Sequence, residues 1–398
     1  MTSVSAQQSV AEALTRIRSD RWGAVVTVSS DAATDAGGVD RASLKGTLAG
    51  IPFTVKDIIA TAGVRTTAAS RALANHVPKR DAPAVARLRS AGAVLVGKTN
   101  CSELALSAWT GNPLFAETRN PRHEGRSAGG SSGGCAAGIA AGLVPISLGT
   151  DYGGSIRFPA ACCEVVGLRP TSGRVPIEGQ LPAPAPDSPR ARFSLIGPLG
   201  RTVRDVARAF AALADHTAPS EPPTRAVALS DGPGRAAVSR AANALQDAGV
   251  GVAHAPMPWL RDAAVIFSGS RALDTYDDLR PFAETLGPAL RELIAAAPTR
   301  LDAHRRDVLD REQARALEQA LDDLDQDAVL VLPIAEGLIP PVAGRAPDLE
   351  TLWPARAISL LGLPATAVAG IQLVGPPSGD EVVLAAAELI ESRLSTND

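Results

Sequence analysis

The chain has 398 residues, 45% of them hydrophobic and 20% charged, which is enough apolar material for a continuous core and excludes disorder for the bulk of the chain. Lysine and arginine number 39 against 42 acids, a net charge of −3, with 3% aromatic residues; this balance lacks the footprint of a nucleic-acid binder, so no nucleic-acid partner and a small neutral ligand are expected. No run of about 18 apolar residues and no signal-peptide pattern is found, so a cytoplasmic location without a membrane partner is expected.

In chain order, Val10 to Ile17 reads as an amphipathic helix and Ala24 to Ser29 as a short strand, followed by a turn-rich connection. From Gly50 come a strand, a glycine-punctuated loop, a helix over Ala82 to Ala91 and the strand AVLVGK. This alternation predicts a mixed or parallel sheet with covering helices. Thr202 followed by Asp205 starts a helix by the capping-box pattern, with Val203, Val206, Ala207, Phe210 and Leu213 along one face. Ala218 to Thr224 is the best candidate for an exposed linker. Strand, helix and strand follow in RAVALSD, Ala236 to Ala248 and GVGVAHAPM, and Ala272 to Asp325 reads as charged, solvated helix. AVLVLPI, SLLGLPATAVAG, IQLVGPP and a last helix close the chain.

The cysteines are Cys101, Cys135, Cys162 and Cys163, without a C-x-x-C spacing, and are expected to be buried thiols. Two glycine-rich segments stand out. In Gly125 to Gly142 a G-G-S-S-G-G run opens an alanine-rich helix, but Cys135 and Ala136 stand where a phosphate-binding loop needs lysine and a hydroxyl. Taken alone it is a tight turn before a helix. In Leu148 to Cys163 an apolar run feeds Asp151, Tyr152, Gly153, Gly154 and Ser155. Such a turn can set a serine beside uncommitted backbone N–H groups, the layout of a nucleophile with an oxyanion hole, or it can simply cap a helix.

A serine nucleophile needs a base. His76, His123, His216, His254 and His304 lie in polar or loop-like contexts, and Ser155, in Gly153-Gly154-Ser155-Ile156-Arg157, is not framed by a G-x-S-x-G elbow. Lys56, ending the apolar strand of GIPFTVK, could serve if burial lowered its pKa, although a strand-terminal lysine is more often a surface residue.

Together GGSSGG, GTDYGGSIRFPA and GLRPTSGRVP, within Gly129 to Pro176, resemble the amidase signature family in order and spacing. RNP, KTNCSELALS, IGPLGRTVRDVA and the C-terminal GLPATAVAG extend the resemblance over nearly the whole chain. It implies a single α/β/α domain, 1–398, around a large mixed sheet covered by helices on both faces. Within it a signature core is expected at about 50–215, a shortened variable region at 225–328 and a closing sheet and helix at 329–398. By the same resemblance Lys56 is the catalytic lysine, Ser131 a bridging serine after a cis peptide, and Ser155 the nucleophile. The N–H groups of Tyr152, Gly153, Gly154 and Ser155 would form the oxyanion hole. Thr150, Asp151, Ser132 and Arg157 would support the site or meet substrate, with a structural role favoured for Arg157. The implied activity is hydrolysis of a small carboxamide, without cofactor or metal.

Two departures stand out. Cys163-Glu164 replaces the family's usual C-G, so that Glu164 either lines the pocket or sits on a rearranged turn. The chain is also short between Thr224 and Ala328 and in the Gly344 to Pro354 loop, which predicts a more open pocket. Two other readings compete: the glutamine-hydrolysing component of a tRNA-dependent amidotransferase, and a catalytically silent scaffold, which the intact Lys56, Ser131 and Ser155 disfavour. Oligomeric state stays open, a homo-oligomer included.

Overall fold

The computed structural model describes residues 5–42, 46–184, 188–215, 217, 220–274, 277–288, 291, 295, 303–324, 327–337, 340–344 and 347–395. Its frame is one sheet of eleven strands: β1 (Val25–Val28), β2 (Pro52–Lys56), β3 (Val94–Thr99), β4 (Ile146–Asp151), β5 (Val166–Arg169), β6 (Leu195–Gly200), β7 (Arg225–Leu229), β8 (Gly251–Ala255), β9 (Ala328–Pro333), β10 (Ala365–Val368) and β11 (Ile371–Val374). The strand order is β1-β3-β2-β4-β6-β5-β10-β11-β9-β7-β8. β2 runs parallel to β3 and β4, and β7 parallel to β8 and β9. Antiparallel pairs connect these two wings through β6, β5, β10 and β11. The sheet is therefore mixed, as expected.

Helices cover both faces, which is why the central strands read as continuous apolar runs with every residue of β2, β3, β4 and β9 buried. On one face Val85 and Leu88, Val206 and Phe210, Leu245, and Val383 with Ile390, from four helices, form one cluster with Phe53, Val55 and Leu148 of one wing of the sheet, Val329 and Val331 of the other, and Leu373 of β11 between them. On the other, Val10 and Ile17, Cys135 and Ile139, and Phe158 share a cluster with Val94, Val96 and Ala367. A third cluster joins Phe267 and Ile358 to Leu330 and Leu332. The predicted cap at Thr202 is present: its Oγ1 accepts the Asp205 N–H at 3.1 Å, and Val203, Val206, Phe210 and Leu213 are buried below it. The chain's last helix, Asp380–Ser395, is tied to the PTSGR turn, where Thr171 donates N–H and Oγ1 to Asp380.

One expectation fails. The connection after β1 contains a helix, Ala32–Arg41, where turns were predicted. Gly37 and Gly38 lower its intrinsic propensity, and burial of Ala32 and Ala36 against the neighbouring helix Ala6–Arg18 outweighs that cost. His216 and residues 218–219 of the expected linker lie outside the described residues, as does part of 272–325; in the helix Ala303–Asp323, among the side chains described, Ala316 and Ala320 are buried and the others are exposed or half-buried. No described helix is long and apolar enough to cross a membrane. All four cysteines are free and buried, as expected.

Candidate active site

β2 ends on Lys56 and the adjacent β4 ends on Thr150 and Asp151, so parallel pairing delivers three polar side chains to one end of the sheet. The glycine-rich turn before the helix Gly133–Ala140 brings Ser131 to the same place. That helix approaches β3 closely because residue 134 is glycine: a Cβ there would stand 2.5 Å from Asn100 backbone atoms. The Gly130–Ser131 peptide is cis.

Lys56 is fully buried, as is Ser131. Its Nζ lies 2.6 Å from Ser131 Oγ and donates to Thr150 Oγ1 at 2.7 Å. Burial lowers the amine's pKa to about 8, against the smaller opposing influence of Cys101, Cys135 and Asp151. Ser132 supports the arrangement, donating its N–H to the Ser155 carbonyl at 3.2 Å and its Oγ to the Thr150 carbonyl at 3.2 Å.

Ser155 stands apart in exposure. Lys56, Ser131, Ser132, Thr150 and Asp151 are buried, whereas Ser155 is partly accessible. It lines both lobes of a small crevice, one shared with Ser131 and Thr150, the other with Phe267 and Leu352. No hydrogen bond joins the Ser131 and Ser155 hydroxyls among the described residues. Residues from the shortened segments, Phe267, Leu349 and Leu352, wall the second lobe.

The turn carrying Ser155 is organised by Asp151. Its carboxylate accepts the N–H groups of Gly154 at 2.9 Å and Ile156 at 3.1 Å, together with Arg157 and Arg169. Gly154 takes φ +107, a backbone that glycine adopts without steric cost. The Gly154 N–H is thus committed to Asp151, whereas no acceptor is found among the described residues for those of Gly153 and Ser155. Burial alone would push the Asp151 carboxyl up, but the two guanidiniums hold it well below the usual carboxylate range. Arg157 is fully buried, its remaining donors going to Gln372 Oε1 at 2.6 Å and Ser359 Oγ at 2.8 Å, and it does not line the crevice. These partners lie on β11 and on the helix Trp353–Leu361, so sequence reading had no route to them. Replacing Asp151 by alanine leaves Arg157 and Arg169 buried without their counter-ion; a loss of about 3–5 kcal/mol in urea unfolding is expected.

Glu164 has φ +53, the left-handed backbone that the family's glycine would adopt freely. Its side chain is exposed and meets His123 Nε2 at 3.0 Å, away from the Ser155 crevice.

The family model described as Amidase matches residues 8–275. The A subunit of glutamyl-tRNA(Gln) amidotransferase from Chloroflexus aurantiacus (strain ATCC 29366 / DSM 635 / J-10-fl) is 34% identical over 407 residues, covering 85% of this chain and 82% of that protein. The protein of the same name from Roseiflexus sp. (strain RS-1) is 48% identical over 160 residues, covering 40% of this chain but only 32% of that relative's length. A solved structure described as the crystal structure of amidase superposes with a TM-score of 0.86 at 29% identity, covering 98% of this chain and 96% of that one. Fold and sequence agree, and the chain belongs to the amidase signature family, whose enzymes act on amide carbon–nitrogen bonds.

The expectation that nucleic acid plays no part is corrected by these relatives, which are named as components of an enzyme with tRNA in its name. The charge argument failed because net charge averages over a whole surface. One component of an assembly that handles tRNA need not present a basic face itself.

Proposed function

We propose that this chain hydrolyses a carboxamide through an acyl-enzyme on Ser155. The observation that carries the reading is the buried 2.6 Å contact of Lys56 Nζ with Ser131 Oγ, beneath a crevice that Ser131 and the accessible Ser155 line together. Lys56 as the neutral amine takes the Ser131 proton, and Ser131 takes that of Ser155 as Ser155 Oγ bonds to the substrate carbonyl carbon. The Ser131–Ser155 hydrogen bond forms on substrate binding, as catalytic hydrogen bonds that are long in the empty site commonly do. The carbonyl oxygen gains negative charge and is met by the N–H groups of Gly153 and Ser155. Collapse breaks the carbon–nitrogen bond, the relay returns its proton to the departing nitrogen, and water then releases the acid by the same path. A fluorophosphonate probe should form one covalent adduct, on the peptide containing Ser155, together with loss of ammonia release from an amide panel. An unlabelled protein would instead fit a silent scaffold.

The relative from Chloroflexus aurantiacus favours a second reading, in which the chain is the glutamine-hydrolysing component of a tRNA-dependent amidotransferase. Co-purification with a larger tRNA-binding protein, and glutamine hydrolysis that rises in its presence, would select it.

A further inference from the structure

The proposed relay uses Lys56 and leaves a second buried lysine and a buried aspartate without a task. Lys98 on β3 is in register with Val55 of β2, so it shares the sheet face of Val55 and lies opposite that of Lys56, the next residue along. Its Nζ donates to the Ile59 carbonyl, to Thr61 Oγ1 at 2.7 Å and to Thr66 Oγ1 at 3.0 Å. Both threonines give their own hydroxyl protons to carbonyls, those of Ile59 and Val64. All three contacts are therefore acceptors, and Lys98 is held as an ammonium that fastens the segment 59–66.

Asp57 follows Lys56, is fully buried and does not line the crevice. Its Oδ2 accepts both the N–H of Thr67, at 3.1 Å, and the Thr67 hydroxyl proton. Its backbone carbonyl accepts the Ala68 N–H at 2.6 Å. Having donated to Asp57, Thr67 Oγ1 accepts the Ala69 N–H at 3.0 Å. These bonds converge on Ala68 and Ala69, at φ +49 and +55, a left-handed backbone that residues other than glycine seldom adopt. Such a conformation persists only where its surroundings over-determine it.

The path continues to the crevice. The Ala68 carbonyl accepts the Leu104 N–H at 2.9 Å, and Ser70 Oγ donates to Glu103 Oε1 at 2.9 Å. Leu104 and Ala105 form a second left-handed pair, at φ +52 and +59. Ala105 lines both lobes beside Ser155, and Leu104 lines the lobe shared with Ser131.

We infer that the Asp57–Thr67 contact is a clamp that sets the shape of the crevice wall, and that Thr67 is a positioning residue for substrate binding, acting through Ala68 and Leu104. What the crevice binds rests on the amide-hydrolase reading of Ser155; the clamp itself rests on the hydrogen bonds. Lys56 points to the other face of the sheet, so loosening the clamp weakens the fit of the substrate and spares proton transfer.

Thr67→Val keeps the shape of the side chain and removes both hydroxyl bonds. With the amide that the unaltered protein hydrolyses fastest, KM should rise about 10-fold while kcat stays within about twofold. Thr67→Ser, which keeps the hydroxyl, should restore KM. An unchanged KM in Thr67→Val, a loss confined to kcat, or an equal rise in Thr67→Ser overturns the inference while the hydrolase reading stands. A second measurement needs no turnover: amide hydrogen exchange at Leu104 should be about tenfold faster in Thr67→Val, with exchange in β2 and β4 unaltered. If no amide is hydrolysed, the hydrolase reading fails by itself and exchange decides the clamp, equal rates at Leu104 in the two proteins overturning it. Should Thr67→Val not fold, Asp57→Asn takes its place. An amide oxygen is a weaker acceptor than a carboxylate, so exchange at Leu104 should rise about threefold, and no rise overturns the inference.

Discussion

Ser155→Ala is expected to lower the turnover of any amide substrate by roughly 10^4-fold, with the protein still folded. Ser155 is partly accessible and occupies a turn whose backbone is held by Asp151, so removing one hydroxyl leaves that hydrogen-bonded frame unchanged. Residual activity would come from the Gly153 and Ser155 N–H groups and from binding alone. The measurement is single-turnover ammonia release beside a circular dichroism melt. Turnover within tenfold of the unaltered protein, with the same melt, would remove Ser155 as nucleophile.

Lys56→Met should cost roughly 10^3-fold or more in kcat, and the unaltered enzyme should show why in its pH profile. Burial lowers the amine to about 8, so its neutral fraction falls about tenfold for each pH unit below that value. kcat/KM should therefore rise with pH up to about 8 and then level off. Lys98 is also lowered to about 8 by burial. It faces other groups, however, donating to the Ile59 carbonyl, Thr61 Oγ1 and Thr66 Oγ1, and does not line the crevice. Lys98→Met should accordingly keep the pH limb, and a profile flat from pH 6 to 9 in the unaltered enzyme would exclude a neutral-lysine relay. The same shift has a consequence for stability. The folded value lies below the unfolded one, near 10.5, so the charged form is penalised only in the fold. That penalty is complete below about 8 and disappears as pH rises through the unfolded value. The Lys56→Met protein should thus be at least as stable as the parent at pH 7, as judged by urea unfolding.

How far the sequence could be read depended on the range of the interaction. Hydrophobic runs such as PFTVK, VLVGKT and AVLVLP became fully buried strands because their apolar residues stay inside whichever neighbours they acquire. The Thr202 cap was legible because donor and acceptor are three residues apart. The helix Ala32–Arg41 was not, since its stability comes from a partner helix and not from its own glycine-containing sequence.

The candidate site divides in the same way. Residue type and local order marked Ser155 and Lys56 as candidates with bland alternatives left open, and the resemblance to the amidase signature family added Ser131 and implied a role for each. Only the folded chain decided that positions 75 residues apart lie within 2.6 Å, and that Asp151 consumes the Gly154 N–H. It also placed Arg190 and Arg356 beside Ser155 from segments in which nothing local marks them out. The physical reason is that hydrophobic periodicity and capping act within a few residues, whereas strand order and helix docking set the charge, burial and reach of a side chain through groups a hundred or more residues away.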